Sequence, residues 1–397
     1  MVKNDRYAQH LVERSKYSKR VILNPFGMSF RWCNNNCKFC YLRDIMYKKP
    51  LSTEDMDIIT DNMVEWLDLY CEDFPSDVRI GMILIGGEFY CLGDEYYDCI
   101  KRCVDKTSNI LKKHNVKFYN VGICSNLLLN DDRVNKIIEF HDYCMERAMS
   151  CDIFTSFDLW GRFQSEESCK QWFNNILKLK DYMGIGIEMM LSKPGIQNYL
   201  YNDTCYEARY FDELLELKEQ IHINGEGITR RELTPDTDEI VAFFKKILER
   251  HGLINILEEF EIDPNRQQLR DDAPSMLVGF DKDGVIEKYC DALFKRTTHN
   301  ESDDDNFYCI KDPKKHKYYL DNVLGCGHCK YREHCHMNNE YTCFICYRSY
   351  NGLIKPNQCY MKEVYKLVEK HRELYDEHYK SLQENKTTEH CALCSKL

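Results

Sequence analysis

From about residue 21 the sequence alternates short apolar runs with longer amphipathic stretches, and this rhythm narrows the possible folds more than any other feature. The strand candidates are Pro25–Trp32, Arg79–Ile85, Lys117–Ser125, Ile153–Asp158 and Gly184–Leu191, with a sixth near Glu219–Asn224. Helix candidates are Ser52–Tyr70, Tyr96–His114, Asp132–Met149, Glu166–Met183 and Asp236–His251. The first opens Ser-Thr-Glu-Asp, a capping residue followed by acids in the first turn. Such alternation predicts an α/β fold, with parallel strands joined by right-handed crossovers and helices outside. Sheets of this kind carry their sites at the C-terminal ends of the strands.

The rhythm changes after about Asn255, where cysteines crowd in at 290, 309, 326, 329, 335, 343, 346 and 359. The expected division is an N-terminal extension (1–20), an α/β domain (21–255), a second, metal-organised domain (256–370) and a charged helical tail (371–397). The lone pair Cys391 and Cys394 falls on that tail. The chain holds 22 cysteines in 397 residues. In a small secreted domain that count would mean disulfides, but here the length is wrong for it. Residues 1–20 contain no apolar signal-peptide core, and no apolar run approaches membrane-spanning length. A cytoplasmic, thiol-rich chain away from the membrane is therefore expected, with its thiols used for metal. The formal charge of −11 disfavours a large nucleic-acid footprint. Cys71, Cys91, Cys99, Cys103, Cys144, Cys151, Cys169 and Cys205 read as small buried hydrophobes.

Cys33-Asn-Asn-Asn-Cys37-Lys-Phe39-Cys40 has the spacing C-x3-C-x2-C just after the first strand candidate. Three thiolates on a short loop can hold three irons of a [4Fe–4S] cluster and leave the fourth iron open. A zinc loop is the alternative, and it would need a fourth His or Cys ligand. The motif resembles that of the radical S-adenosylmethionine superfamily, whose hallmark is this triad with an aromatic residue, here Phe39, before the last cysteine. The resemblance implies a partial (β/α)6 barrel. It also implies an enzyme that cleaves S-adenosylmethionine reductively to a 5′-deoxyadenosyl radical.

Further matches follow the later strands. Gly86-Gly87-Glu88 ends the second strand candidate, where the glycines would let the backbone approach a ligand closely; it resembles the superfamily element that receives the amino group of S-adenosylmethionine, and is otherwise an ordinary strand-ending turn. Asn126, after Ser125, resembles a Thr-Asn step at the third strand, and is either a site residue or a turn residue. Ser156, Asp158 and Arg162 end the fourth strand. In relatives such residues lie by the ribose and the carboxylate, chemistry that suits a hydroxyl and a guanidinium. Arg162 could instead form a surface ion pair. Glu188, in the fifth strand, either faces the lumen or caps an edge.

Cys326-Gly-His-Cys329 and Cys335, with Cys359 later, resemble the auxiliary-cluster domain called SPASM, in which C-x2-C-x5-C and a later cysteine hold one iron–sulfur cluster. A second auxiliary cluster would draw on Cys290, Cys309, Cys343 and Cys346, although position 339 is Asn where the family continues with Cys. Zinc sites served by His328, His334 and His336 are the alternative. Asp291 follows Cys290. In the resembling anaerobic sulfatase-maturating enzymes an Asp beside such a cysteine deprotonates the substrate radical, but an Asp after a loop Cys is also a common turn residue. The implied substrate is a peptide or protein side chain, oxidised or crosslinked, with electrons from a flavodoxin- or ferredoxin-type donor. A nucleotide or small-metabolite modifier using the same initiation is a second enzyme reading. A non-catalytic zinc-binding interaction protein is the reading from another class.

Overall fold

The computed structural model describes residues 20–27, 29–40, 46–202, 204–217, 221–227, 233–252, 257, 276–286, 325–332 and 359–371. Strand β1 is Arg20–Asn24, not the expected Pro25–Trp32 run. Pro25 has no N–H to give a neighbouring strand. Asn24 Oδ1 instead accepts from Gly27 N at 2.8 Å and turns the chain. Phe26 and Phe30 are buried all the same, with ring centroids 5.8 and 4.1 Å from that of Phe89.

The other strands are β2 (Arg79–Leu84), β3 (Lys117–Cys124), β4 (Ser150–Phe157), β5 (Ile185–Leu191), β6 (His222–Gly227), β7 (Met276–Asp281) and β8 (Gly284–Val285). They form one sheet in the order β6-β5-β4-β3-β2-β1-β7-β8. Among the described residues every pairing from β6 to β7 is parallel, and β8 runs antiparallel on β7. The chain thus steps outward from β1 to β6 and returns to the far side of β1. This is an open α/β sheet compatible with a partial barrel. The parallel sheet continues past residue 255, because β7 pairs with β1.

Among the described residues the helices are α1 (Thr53–Tyr70), α2 (Asp94–Lys113), α3 (Asp131–Met145), α4 (Glu166–Leu179), α5 (Lys193–Tyr201), α6 (Tyr206–Leu215), α7 (Thr237–His251) and α8 (Tyr360–Lys370). Caps fix where they begin. Ser52, Asn130 and Ser192 each accept the N–H three residues on, and Ser165 and Ser168 form a reciprocal capping box. No helix among the described residues is long and apolar enough to cross a membrane.

Alternation along the central strands separates two faces. In β4, Cys151, Ile153, Thr155 and Phe157 are buried, while Asp152, Phe154 and Ser156 are half-buried. In β5, Ile187 and Met189 are buried, while Glu188 and Met190 are half-buried. The buried face packs under helices, as where Trp172 of α4 meets Phe157 at 5.1 Å between centroids. Each such fully buried side chain contributes about 1.5–3 kcal/mol. The other face is half-buried and mixed, carrying Asp152, Ser156 and Glu188 beside Phe154 and Met190. There the Phe154 ring fills space that side chains at 122 and 186 would take: a Cβ on Gly122 or Gly186 would lie 3.1 or 2.7 Å from it. Of the eight scattered cysteines, all are buried except Cys91, which is partly exposed.

Candidate functional site

The cysteine loop lies across the C-terminal ends of the strands. Its approach is set by the Gly86-Gly87 step that follows β2. Gly86 has φ +136°, and a Cβ there would lie 2.5 Å from Phe30 O and 2.9 Å from Phe26 O. A Cβ on Gly87 would lie 2.0 Å from Trp32 O. The close approach these glycines permit is therefore to the chain leading into the cysteine loop. Glu88 N then donates to Trp32 O at 3.0 Å and ties that chain to the end of β2.

Donors converge on the loop sulfurs. Asn35 donates from its backbone N to Cys33 Sγ at 3.4 Å and from Nδ2 to Cys37 Sγ at 3.2 Å. Asn126 Nδ2, from the end of β3, donates to Cys33 Sγ at 3.3 Å and to Asn34 Oδ1 at 2.6 Å. Arg162 Nη1 lies 3.9 Å from Cys37 Sγ. Phe39 packs with Cys37 and Leu233, alongside Cys40, Trp160 and Met190. Burial holds the Cys33 thiol up at about 11 and raises that of Cys37. Metal binding would have to displace those protons. Among the described residues no three His, Cys, Asp or Glu side chains are gathered closely enough to hold a metal ion. The donor chemistry nonetheless suits iron: three thiols on one loop, with N–H groups already aimed at two of the sulfurs.

Glu88 is fully buried. Its Oε2 accepts from Ser125 Oγ at 2.9 Å and Asn126 N at 2.5 Å, and its Oε1 from Tyr90 N at 3.2 Å. Burial pushes its carboxyl up to about 7. Arg162 is buried too, so the surface ion pair is not what the structure has. Its guanidinium donates to Ser156 Oγ at 2.5 Å, Asn126 O at 2.7 Å and Thr155 Oγ1 at 3.2 Å, while its Nε has no partner among the described residues. Thr155 is held in turn by Trp172 Nε1 at 3.1 Å. Asp158 is enclosed: Oδ1 accepts from Ser192 Oγ at 2.7 Å and Oδ2 from Gly161 N at 2.7 Å. Burial lifts its carboxyl to about 6. Glu188 pairs in register with Ser156 on β4, and β5 lies between β4 and β6, so it caps no edge. On the same face, burial, and Glu188 beside it, push the Cys124 thiol up to about 12.

The structure therefore brings Cys33, Cys37, Phe39, Glu88, Asn126, Ser156 and Arg162 together. It adds Asn35, Lys38, Thr155 and Trp160, which the sequence alone did not single out. In the C-terminal part, Cys326 and Cys329 flank a turn closed by Cys329 N donating to Cys326 O at 3.1 Å, and Cys359 precedes the first turn of α8 near Cys329. Tyr331 stacks on Tyr365 of α8 at 4.9 Å, which docks this turn on the helix. Cys290, Asp291, Cys309, Cys335, Cys343 and Cys346 lie outside the described residues.

No protein-family model and no curated protein matches the chain. Among solved structures, one of TYW1 with a lysine–pyruvate adduct bound aligns at 15% identity and TM-score 0.34, covering 62% of this chain and 82% of that one. The triazine hydrolase from Arthobacter aurescens aligns at 12% and 0.29, covering 66% and 60%. A mutant of the O-GlcNAc hydrolase from Thermobaculum terrenum aligns at 15% and 0.25, covering 52% and 44%. At such scores the shared architecture is too loose to place a function on the chain.

Proposed function

We propose that this chain is a radical S-adenosylmethionine enzyme acting on a peptide or protein side chain. The observation that carries the reading is the C-x3-C-x2-C loop at the C-terminal ends of parallel strands, with Asn35 and Asn126 donating to its sulfurs. When bound there, a reduced [4Fe–4S] cluster with one open iron supplies the electron that breaks a C–S bond of S-adenosylmethionine. Cys33, Cys37 and Cys40 would hold it, and N–H donors to sulfur tune such a site's potential. Arg162, already desolvated and with no partner for its Nε among the described residues, suits the carboxylate of S-adenosylmethionine. Ser156 suits its ribose, and Glu88, whose oxygens Ser125, Asn126 and Tyr90 engage, would take its amino group by exchanging one of these bonds. Asp158 holds the turn beneath the loop, with both oxygens engaged. Phe154, Glu188 and Met190, each half-buried, lie on the face where the substrate would sit.

In this reading Cys326, Cys329, Cys335 and Cys359 hold an auxiliary cluster, and Cys290, Cys309, Cys343 and Cys346 a second. Asp291 is the base for substrate deprotonation, and a flavodoxin- or ferredoxin-type protein delivers electrons. Anaerobic reconstitution with iron and sulfide tests the proposal. A brown protein with broad visible charge-transfer absorption is expected, losing part of it when Cys33, Cys37 and Cys40 are replaced by Ala. A colourless, zinc-loaded protein would make the chain a zinc-binding scaffold instead.

A further inference from the structure

We infer that the turn after β4, residues 160–162, is a clamp that shapes the cysteine loop before any metal arrives, with Trp160 and Gly161 as its positioning residues. The purpose of the clamp rests on the proposed function; its geometry does not. Besides the long Arg162–Cys37 contact (3.9 Å), which falls on a ligand, three contacts join the two loops. Lys38 N donates to Gly161 O at 2.9 Å. Asn35 Nδ2 donates to Arg162 O at 3.2 Å. The Lys38 ammonium lies 4.2 Å from the centroid of the Trp160 ring. All three fall on residues between the cysteines, so they set the path of the loop without occupying a ligand position.

The fit leaves no slack. A Cβ on Gly161 would lie 2.9 Å from Lys38 Cβ and 3.2 Å from Asp158 Oδ2. The clamp is itself anchored: Asp158 accepts from Gly161 N and from Ser192 Oγ, the cap of α5. Trp160, Met190 and Leu233 pack around Cys37, Phe39 and Cys40. A free loop carrying three ligands would lose much conformational entropy on closing round a metal. A clamp that orders it in advance removes part of that cost, which is the general benefit of preorganisation.

Timed alkylation of the metal-free chain with iodoacetamide, read at each cysteine by peptide mass spectrometry, tests this. Gly161→Ala and Trp160→Ala should each speed alkylation at Cys37 by about tenfold, the ratio that about 1.4 kcal/mol of lost ordering produces. Cys144 and Cys169, buried in the main core, should keep their slow rates. Trp160→Phe, which retains an aromatic face for Lys38, should restore most of the protection. Unchanged Cys37 rates in both variants would overturn the clamp. So would a parallel rise at Cys144 and Cys169, since that would mean general unfolding. If the wild-type chain proved unable to cleave S-adenosylmethionine, these rates would be unaffected, so the two claims fail separately.

Discussion

Gly86→Ala should be among the most damaging single-methyl additions in the chain, and the reason lies in two separable penalties. The new Cβ would sit 2.5 and 2.9 Å from the carbonyl oxygens of Phe30 and Phe26, which are backbone atoms and cannot swing away. Overpacking of this kind costs about 1–3 kcal/mol. The φ of +136° adds about 1–3 kcal/mol for any residue with a side chain. A total of about 4 kcal/mol lowers the melting temperature of a domain of this size by about 8–16 °C. Two controls divide the sum. Gly87→Ala suffers the clash with Trp32 O, at 2.0 Å, without the positive φ. Gly252→Ala has φ +69° but nothing within 4 Å among the described residues, so there it carries strain alone. Circular-dichroism melts of the metal-free proteins should rank Gly86→Ala lowest, Gly87→Ala next and Gly252→Ala nearest wild type. Gly86→Ala melting level with Gly252→Ala would show that the chain before the cysteine loop does not press on this turn.

Glu88→Gln should flatten the pH dependence of stability. Below about 4.5 the Glu88 carboxyl is protonated in both the folded and unfolded chain; as pH rises towards about 7 the unfolded chain ionises first, so the folded state loses about 3 kcal/mol relative to it. Urea titrations at pH 5 and pH 8 should show a smaller difference for the variant than for wild type; an equal difference would remove Glu88 as the source. Arg162→Ala should weaken S-adenosylmethionine binding about tenfold or more without loss of iron, by anaerobic calorimetry, because a charge-assisted hydrogen bond contributes about 1.5–3 kcal/mol. Unchanged affinity would leave Arg162 as a brace for Ser156, Thr155 and Asn126. Replacing Cys326, Cys329 and Cys359 together with Ser should lower iron content while 5′-deoxyadenosine still forms; full iron retention would remove the auxiliary cluster.

The central sheet was legible because its strands are apolar runs separated by capped helices, and Ser52 caps α1 as its sequence suggests. What escaped was mostly non-local. β1 was misplaced because Phe26 and Phe30 look like strand residues, although Pro25 already breaks the ladder. α5 carries a local signal in the Ser192 cap and Pro194, and α6 in Tyr206, Tyr210, Phe211 and Leu214 at helical spacing, and neither helix is among the sequence candidates. β7 pairs with a strand some 250 residues earlier, a partnership no local pattern encodes. The candidate site residues were found through resemblance at the strand ends, but their partners were not. That Asp158 would be enclosed by Ser192 and Gly161, or that Lys38 would lie over Trp160, depends on how two loops meet. The glycine pair was expected to admit a ligand; it admits the chain's own backbone.

The central claim is most directly tested by mass-spectrometric detection of 5′-deoxyadenosine from the reconstituted protein with S-adenosylmethionine and dithionite under nitrogen. Wild type should produce it, and the variant with Cys33, Cys37 and Cys40 replaced by Ala should produce none while its C-terminal iron remains. Equal 5′-deoxyadenosine from the triple variant, or none from a fully reconstituted wild type, would contradict the account.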